Sequence, residues 1–314
     1  HLKSWNVCFY CDGETLERSR IDFGYFQLLT LLKRYNACRE MSIVYEAGFI
    51  GFSLYRKLIS DGYGCIITPP VLIPRTGSKV KTDKRDAQKL ASYLSAGILK
   101  SIYVPPPEVE SDRGVVRRRA QLVTRPKQIS KHWSNGYLSW LAELEFPSAS
   151  DLFTFRQLIK TYRRIREDIV EVTGYLRTLS KDPAYSRYYQ QLCAVRGIGL
   201  ITAMTYILEI YDFARFKKST HFSSFLGFTP SQHSSGEHVH LGHISRQGNA
   251  HLRQVLVECA WTVIRHDPHL RDKYDRIRSR GTNGKKAIVA VARSLAVRLR
   301  RCLLDETDYV IGVC

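Results

Sequence analysis

The sequence is short of negative charge: 29 Asp and Glu stand against 48 Lys and Arg, a net charge of +19 over 314 residues. The cations run through the whole length, which excludes a detachable basic tail and makes nucleic acid the default partner, ahead of an anionic membrane surface. No run approaches the roughly 18 apolar residues of a membrane-spanning helix, and no secretory signal pattern opens the chain. Paired cysteine motifs are lacking as well. Of eight cysteines, only Cys8 and Cys11 make a CxxC, in a strand-like run with no second pair and no nearby histidine. That argues against zinc and for reduced thiols in a cytosolic protein. Hydrophobic residues at 44% and charged residues at 25% are ordinary globular values and exclude wholesale disorder. A chain of this length divides most readily into two domains with a connector.

What is present begins with a hairpin signal. Trp5–Tyr10 has strand composition, Cys11-Asp12-Gly13-Glu14 is a turn, and a run through Ile21 and Phe23 returns antiparallel. Residues 26–35 carry leucines at helical spacing. Ser42–Glu46 reads as a buried strand ending in a carboxylate, followed by Ala47-Gly48. A helix over 52–60, stopped by Asp61-Gly62, leads to a short buried strand at Cys65–Thr68. The alternation predicts a mixed sheet with helices against it, and α/β sheets place their chemistry at the carboxyl ends of strands.

The segment Lys79–Ala87 offers two chemistries at once. Asp83 and Asp86, three apart, share one face of a helix that Thr82 caps, and Lys79, Lys81, Lys84, Arg85 and Lys89 surround them. Carboxylates suit a hard divalent cation and the lysines suit phosphates. The plainer reading is an ordinary helix start, with acids favoured by the dipole. Glu46 on its strand, with Asp83 and Asp86, is a candidate metal set.

Further along, Pro105-Pro106-Pro107 marks a linker, and Arg117-Arg118-Arg119 begins a basic helical segment that Pro126 breaks. Val115–Trp140 lacks the continuity of its neighbours. Residues 151–180 form one long amphipathic helix with Leu152, Phe155, Leu158, Ile159, Tyr162, Ile165, Ile169 and Leu176 on its stripe. It is a coiled-coil arm suited to dimerisation or a core helix of the second domain. Val195–Ala203, with Arg196-Gly197-Ile198-Gly199, is a glycine hairpin opening a helix, like a helix-hairpin-helix that holds a DNA phosphate on backbone amides. A helix over 222–226 precedes a polar loop, Ser231–His238, dense in chemical groups, with His240, His243 and Arg246 beyond it. Two helices follow, over 251–264 and from Gly284-Lys285-Lys286 through Arg301. On the latter, Arg293, Arg298 and Arg300 either face nucleic acid or lie on a solvated face.

The order of five motifs resembles the IS110 family of insertion-sequence transposases: Tyr45-Glu46-Ala47-Gly48, Lys81–Ala87, Arg196–Gly199, Phe225–Pro230 with Ser234-Ser235-Gly236, and Gly248-Asn249-Ala250-His251-Leu252-Arg253. The resemblance covers nearly the whole chain. It implies an α/β RuvC-like (RNase H-like) domain over 1–112 with a DEDD acidic site, a helical coiled-coil connector over 113–185, and a mainly α-helical transposase domain over 186–314. Glu46, Asp83 and Asp86 match the family's acids and imply bound Mg²⁺. Ser235 matches the nucleophilic serine, with Ser234 adjacent as the alternative. Lys81, Lys84, Arg85, Arg196, Gly197, Gly199, Arg246, Lys285 and Lys286 are the expected nucleic-acid contacts. Implied partners are donor and target DNA, an element-encoded structured RNA, and a second or further copies of the chain, in a prokaryotic cytoplasm.

One departure stands out. The family's first aspartate precedes a stretch that His1-Leu2-Lys3 resembles, and no such acid is present. N-terminal trimming is the expected reason. Ser235 lies far along the chain from the acids, so a joint site needs the domains to fold together or to meet across protomers. His233 and His238 are candidate acid–base groups. Two other classes fit the motifs less fully: a metal-dependent Holliday-junction nuclease, which needs the acids but not Ser235, and a non-catalytic nucleic-acid-binding protein.

Overall fold

The structure, a computed structural model, describes residues 4–35, 41–74, 83–127, 134–145, 149–235, 238–244 and 247–312. These divide into two compact units, residues 1–104 and 105–314.

The first unit opens with β1 (Ser4–Cys11) and β2 (Glu14–Asp22), paired antiparallel as the hairpin signal predicts. The two-residue turn has φ +50° at Asp12 and +88° at Gly13, the pair of positive angles that matches strand twist and that Asp-Gly accommodates. After α1 (Tyr25–Lys33), β3 (Ser42–Glu46), α2 (Ser53–Ser60) and β4 (Gly64–Thr68) make a parallel strand–helix–strand unit, with Glu46 opposite Thr68. α3 (Asp83–Ser95) packs on β1 and β3. Among the described residues the expected single mixed sheet is two separate strand pairs. Side chains join them: Trp5, Val7, Phe9 and Ile21 from the hairpin and Ile43 and Tyr45 from β3 pack around Leu28, Leu32, Leu54 and Leu58.

The second unit is helical. α4 (Pro107–Lys127) starts ten residues before the expected basic segment and runs past Pro126. Pro107 sits at the first helical position, where its missing N–H costs nothing. Pro126 falls in the last turn, where little helix remains to break. α5 (Asn135–Ala142) and the expected long helix α6 (Ala149–Leu179) follow. Leu176 of α6 is fully buried in the main core, while Ile159 and Tyr162 pack with Leu138 and Leu141 of α5.

α7 (Ser186–Cys193), α8 (Leu200–Ile210), α9 (Ser219–Phe225), α10 (Ala250–Val263), α11 (Pro268–Arg278) and α12 (Gly284–Asp305) complete the unit. Their core gathers Leu208, Phe222, Leu226, Leu256, Ala260, Val291 and Leu295, all fully buried. The stretch expected as a polar loop is instead a strand hairpin, β5 (Pro230–Ser235) and β6 (His238–Ile244), paired antiparallel. Cross-strand backbone pairing gives these polar residues partners that their side-chain pattern does not announce.

Candidate functional site

In the first unit, Glu46 ends β3 and is exposed, at the carboxyl end of the parallel pair. Ala47 N donates to Thr68 O at 2.8 Å, holding the exit of β3 against β4. The Thr68 side chain is fully buried and its hydroxyl has no hydrogen-bond partner among the described residues. Asp83 and Asp86 lie in the first turn of α3, and Asp86 is half-buried. Gln88 Nε2 donates to Thr15 Oγ1 at 3.1 Å, tying this helix to β2. Carboxylates are the right donors for Mg²⁺. Among the described residues, however, no three His, Cys, Asp or Glu side chains gather into a metal-sized group. Thr82, Lys79 and Lys81 lie outside the described residues, as do the side chains of Asp83, Lys84 and Arg85.

In the second unit the glycine hairpin is present as expected. Arg196, Gly197 and Gly199 are exposed, Gly197 has φ +97°, and Gly199 is the residue before α8, with no side chain to cap it. The Cys259 thiol donates to Gly197 O at 3.3 Å, fixing the turn on α10. Lys285 and Lys286 are exposed in the first turn of α12.

Ser235 is the last residue of β5 and pairs with His238 across the ribbon; Ser234 pairs with Val239 and His233 with His240. Gly236, Glu237, Ser245 and Arg246 lie outside the described residues. The base of this hairpin is closely built. Gly248, at φ +132°, presents a Cβ position 2.4 Å from Phe225 O and 2.8 Å from Gly227 N, so no other residue fits there. Asn249 N donates to Phe225 O at 2.9 Å, and Arg253 Nη1 donates to Leu226 O at 3.0 Å. The chain entering β5 and the chain leaving β6 are thereby bonded to each other.

Sequence reasoning missed what holds that base. Glu209, 1% exposed on the otherwise apolar α8, accepts from Arg117 Nε at 2.7 Å and Arg117 Nη2 at 2.8 Å, a bidentate pair. Asn249 Nδ2 donates to it at 2.7 Å, while Asn249 Oδ1 accepts from Leu252 N and caps α10. Arg113 Nε lies 3.9 Å away and donates to Leu208 O; His251 Nδ1 stands at 3.6 Å. Burial alone pushes this carboxyl up; the Arg117 bonds and charge, with His251 and Asn249 beside it, outweigh that and bring it down to about 2. The available signal was one acid in an apolar helix, Leu200–Ile210, since a buried carboxylate demands partners.

The arginines of α12 are engaged inside the unit instead of facing a ligand. Arg293 Nε donates to Ser223 Oγ, Arg298 Nη1 to Asp267 Oδ2 at 2.9 Å, and Arg300 to the carbonyls of Phe213 and Phe216.

An α/β unit, with Glu46 at a strand end and Asp83 and Asp86 in a helix's first turn, is thus followed by a helical unit with a glycine hairpin and a serine-bearing ribbon. Residues 189–275 match the family model described as transposase IS116/IS110/IS902 family. The chain is similar to y4qE of Sinorhizobium fredii, 34% identical over 72% of this chain and 59% of that protein. It is also 27% identical to the transposase for insertion sequence element IS1533 of Leptospira borgpetersenii, over 92% of this chain and 88% of the relative. A third relative, the transposase for insertion sequence element IS1111A of Coxiella burnetii, is 27% identical over 82% of this chain and 76% of its own length. The chain is thus similar to transposases of the IS116/IS110/IS902 kind, by the family model over 189–275 and by these relatives along most of its length. Its match to y4qE spans less than two thirds of that protein.

Proposed function

We propose that this chain is a DNA transposase that cuts and rejoins strands of its insertion sequence through a covalent link at Ser235. The observation that carries this reading is the matched segment, 189–275, which contains both the glycine hairpin and the serine ribbon. In this reading the Ser235 hydroxyl attacks a backbone phosphorus, its proton passes to a nearby base, and one sugar hydroxyl leaves. The phosphoserine diester keeps the bond energy until a second sugar hydroxyl displaces the serine. Clamping of Gly248 and Asn249 to the Phe225 segment supports the role by holding the ribbon's base fixed.

The first unit is read as a RuvC-like domain, with Glu46, Asp83 and Asp86 as the residues to hold Mg²⁺. When bound, that ion would neutralise charge on the phosphodiester. Residues 113–185 are read as the coiled-coil connector and 186–314 as the transposase domain. Exposed Phe153, Leu158, Val170 and Tyr175 on α6 favour association of two or four copies. An element-encoded structured RNA is the proposed guide. Arg196, Gly197, Gly199, Lys285 and Lys286, together with Lys81, Lys84, Arg85 and Arg246, are the proposed contacts to nucleic acid.

The test is denaturing electrophoresis of labelled donor DNA with wild type, Ser235→Ala and Ser234→Ala, followed by mass spectrometry of the linked peptide. Ser235→Ala is expected to lose the adduct and recombination while still binding DNA. An adduct that persists in Ser235→Ala, or maps to Ser234 or a tyrosine, overturns the assignment. Adduct-free cleavage that depends on Asp83 and Asp86 would instead mark a junction nuclease.

A further inference from the structure

The α11–α12 connector carries a patch of charge that the fold does not use. From Arg276 to Leu304 there is no acid, and nine Lys and Arg residues fall in that stretch. Three of them serve the unit internally, Arg293, Arg298 and Arg300 in the bonds described above, and a fourth, Arg301, is exposed but paired with Asp305. The other five, Arg276, Arg278, Arg280, Lys285 and Lys286, are all exposed, clustered at the connector, and in no salt bridge among the described residues. Five like charges held together repel one another unless an anion is drawn in.

This patch is continuous with the glycine hairpin. A Cβ at Gly197 would lie 3.1 Å from Thr262 Cγ2. The neighbouring Trp261, 39% exposed, packs edge-on against Tyr274 with centroids 5.7 Å apart. A Cβ at Gly284 would lie 2.9 Å from the Tyr274 hydroxyl. Hairpin, α10, Trp261, Tyr274 and connector thus adjoin in sequence along one surface. The two turns are also alike. Arg196-Gly197-Ile198-Gly199 leads into α8, and Arg280-Gly281-Thr282-Asn283-Gly284 leads into α12. Each has an exposed arginine followed by a glycine at positive φ, +97° at Gly197 and +77° at Gly281.

We propose that the α11–α12 connector is a second grip on the phosphate backbone of duplex DNA, acting beside the Gly197 hairpin; this rests on the nucleic-acid reading above. α12 holds its cations rigidly, because Ala287, Ile288, Val291 and Ala292 are buried in the core directly behind them. Single strands are held by flat aromatic platforms on which bases stack. Among the described residues, the exposed aromatic ring of this surface is Trp261, and it is packed edge-on against Tyr274. Fixed cations without a stacking platform suit a duplex backbone.

The experiment compares wild type with the fourfold Arg276→Gln, Arg280→Gln, Lys285→Gln, Lys286→Gln variant. A control variant, Arg187→Gln, Lys217→Gln, Lys218→Gln, Arg301→Gln, loses the same charge elsewhere. Affinities for duplex DNA, duplex RNA and single strands are read across a salt series. For duplex DNA the connector variant is expected to lose about 2 to 4 in the magnitude of the log–log salt slope, at ~0.9 per phosphate contact. The control is expected to stay within about 1 of wild type. Equal losses in both variants overturn the proposal, since net charge alone then sets binding. A loss on RNA without one on duplex DNA overturns it in favour of an RNA surface. Wild type that binds no nucleic acid overturns the functional reading itself. Lysine acetylation of unaltered protein gives a folding-independent check: duplex DNA should protect Lys285 and Lys286 but not Lys217 and Lys218, and equal labelling of the four sinks the assignment.

Discussion

The two units treat carboxylates in opposite ways. In residues 1–104, Glu46 is exposed at a strand end and Asp86 half-buried on a helix, around a small core of Leu28, Leu32, Leu54, Leu58, Tyr63 and Cys65. In residues 105–314, Glu209 and Asp267 are 1% and 2% exposed inside a far larger core. Both are bonded to arginine, Glu209 to Arg117 and Asp267 to Arg298. A buried carboxylate saturated by partners is a strut, because taking up a ligand would mean breaking those bonds in a low-dielectric interior. An exposed one remains available. The contrast supports assigning ligand chemistry to the acids of the first unit and scaffolding to those of the second.

The largest effect should come from the core of the second unit. Phe222 is fully buried and its ring meets Tyr206, Phe216 and the Arg300 guanidinium. Phe222→Ala is expected to cost about 3–5 kcal/mol in urea unfolding. Leu58→Ala, fully buried among mostly half-buried neighbours, should cost less, about 2–3 kcal/mol, because its surroundings collapse more readily. A larger loss for Leu58→Ala would reverse the comparison of the two cores.

Next comes the strut itself. Glu209→Gln should destabilise by about 2 kcal/mol at neutral pH, because the buried amide cannot replace both charge-assisted bonds from the half-exposed Arg117. The folded carboxyl is held at about 2, below its ordinary 4.5. Its contribution is therefore full above pH 4.5 and lost as the pH falls towards 2. The gap between wild type and Glu209→Gln in unfolding free energy should narrow across that window. A gap that stays constant from neutral pH to pH 2 would show that the charge is not what Glu209 contributes.

Much of this was legible in the sequence wherever one local signal sufficed. Asp12-Gly13 announced its turn and the 3.6-residue stripe of Leu152 to Leu176 its long helix; Ser42–Glu46 announced a strand, but one half-buried along its middle and exposed at both ends instead of buried. Gly197 and Gly199 announced the turn into α8. The misses share a cause. The β5–β6 ribbon has no apolar alternation in Ser-Gln-His-Ser-Ser, so only cross-strand pairing reveals it. The bond from Arg117 to Glu209 spans 92 residues of chain, and no local pattern announces it. The basic run of α12 looked uniform in sequence, yet burial separates Arg298 and Arg300, which tie the core, from exposed Lys285 and Lys286. That the β1–β2 and β3–β4 pairs share one core around Leu58 is likewise a matter of side-chain packing between distant segments.

A smaller effect sharpens the link between strut and serine ribbon. Asn249→Ala removes the cap of α10 and one bond to Glu209, and should cost about 1–2 kcal/mol. Asn249→Asp keeps the cap acceptor but sets a second carboxylate against Glu209. It should therefore be no better than Asn249→Ala, whereas Asn249→Ser, which retains a neutral acceptor, should recover part of the loss. Rescue by Asp equal to wild type would mean that the contact with Glu209 contributes nothing.

The smallest expected effect is in the first unit, at the turn that opens the chain. Gly13 sits at φ +88° with nothing within 4 Å of its Cβ position. Gly13→Ala therefore meets no clash and pays only for backbone strain, about 1 kcal/mol. The Tyr10 hydroxyl donates to Gly13 O at 2.8 Å and holds the turn in place, so the strain cannot relax by flattening it. Gly13→Asn should cost less than Gly13→Ala, since asparagine tolerates the left-handed region better than alanine. The measurement is urea unfolding of both variants beside wild type, with amide exchange on peptides covering β1 and β2. An alanine variant as stable as wild type would mean that the β1–β2 hairpin adds nothing to the small core it covers, leaving the first unit held by Leu28, Leu32, Leu54 and Leu58 alone.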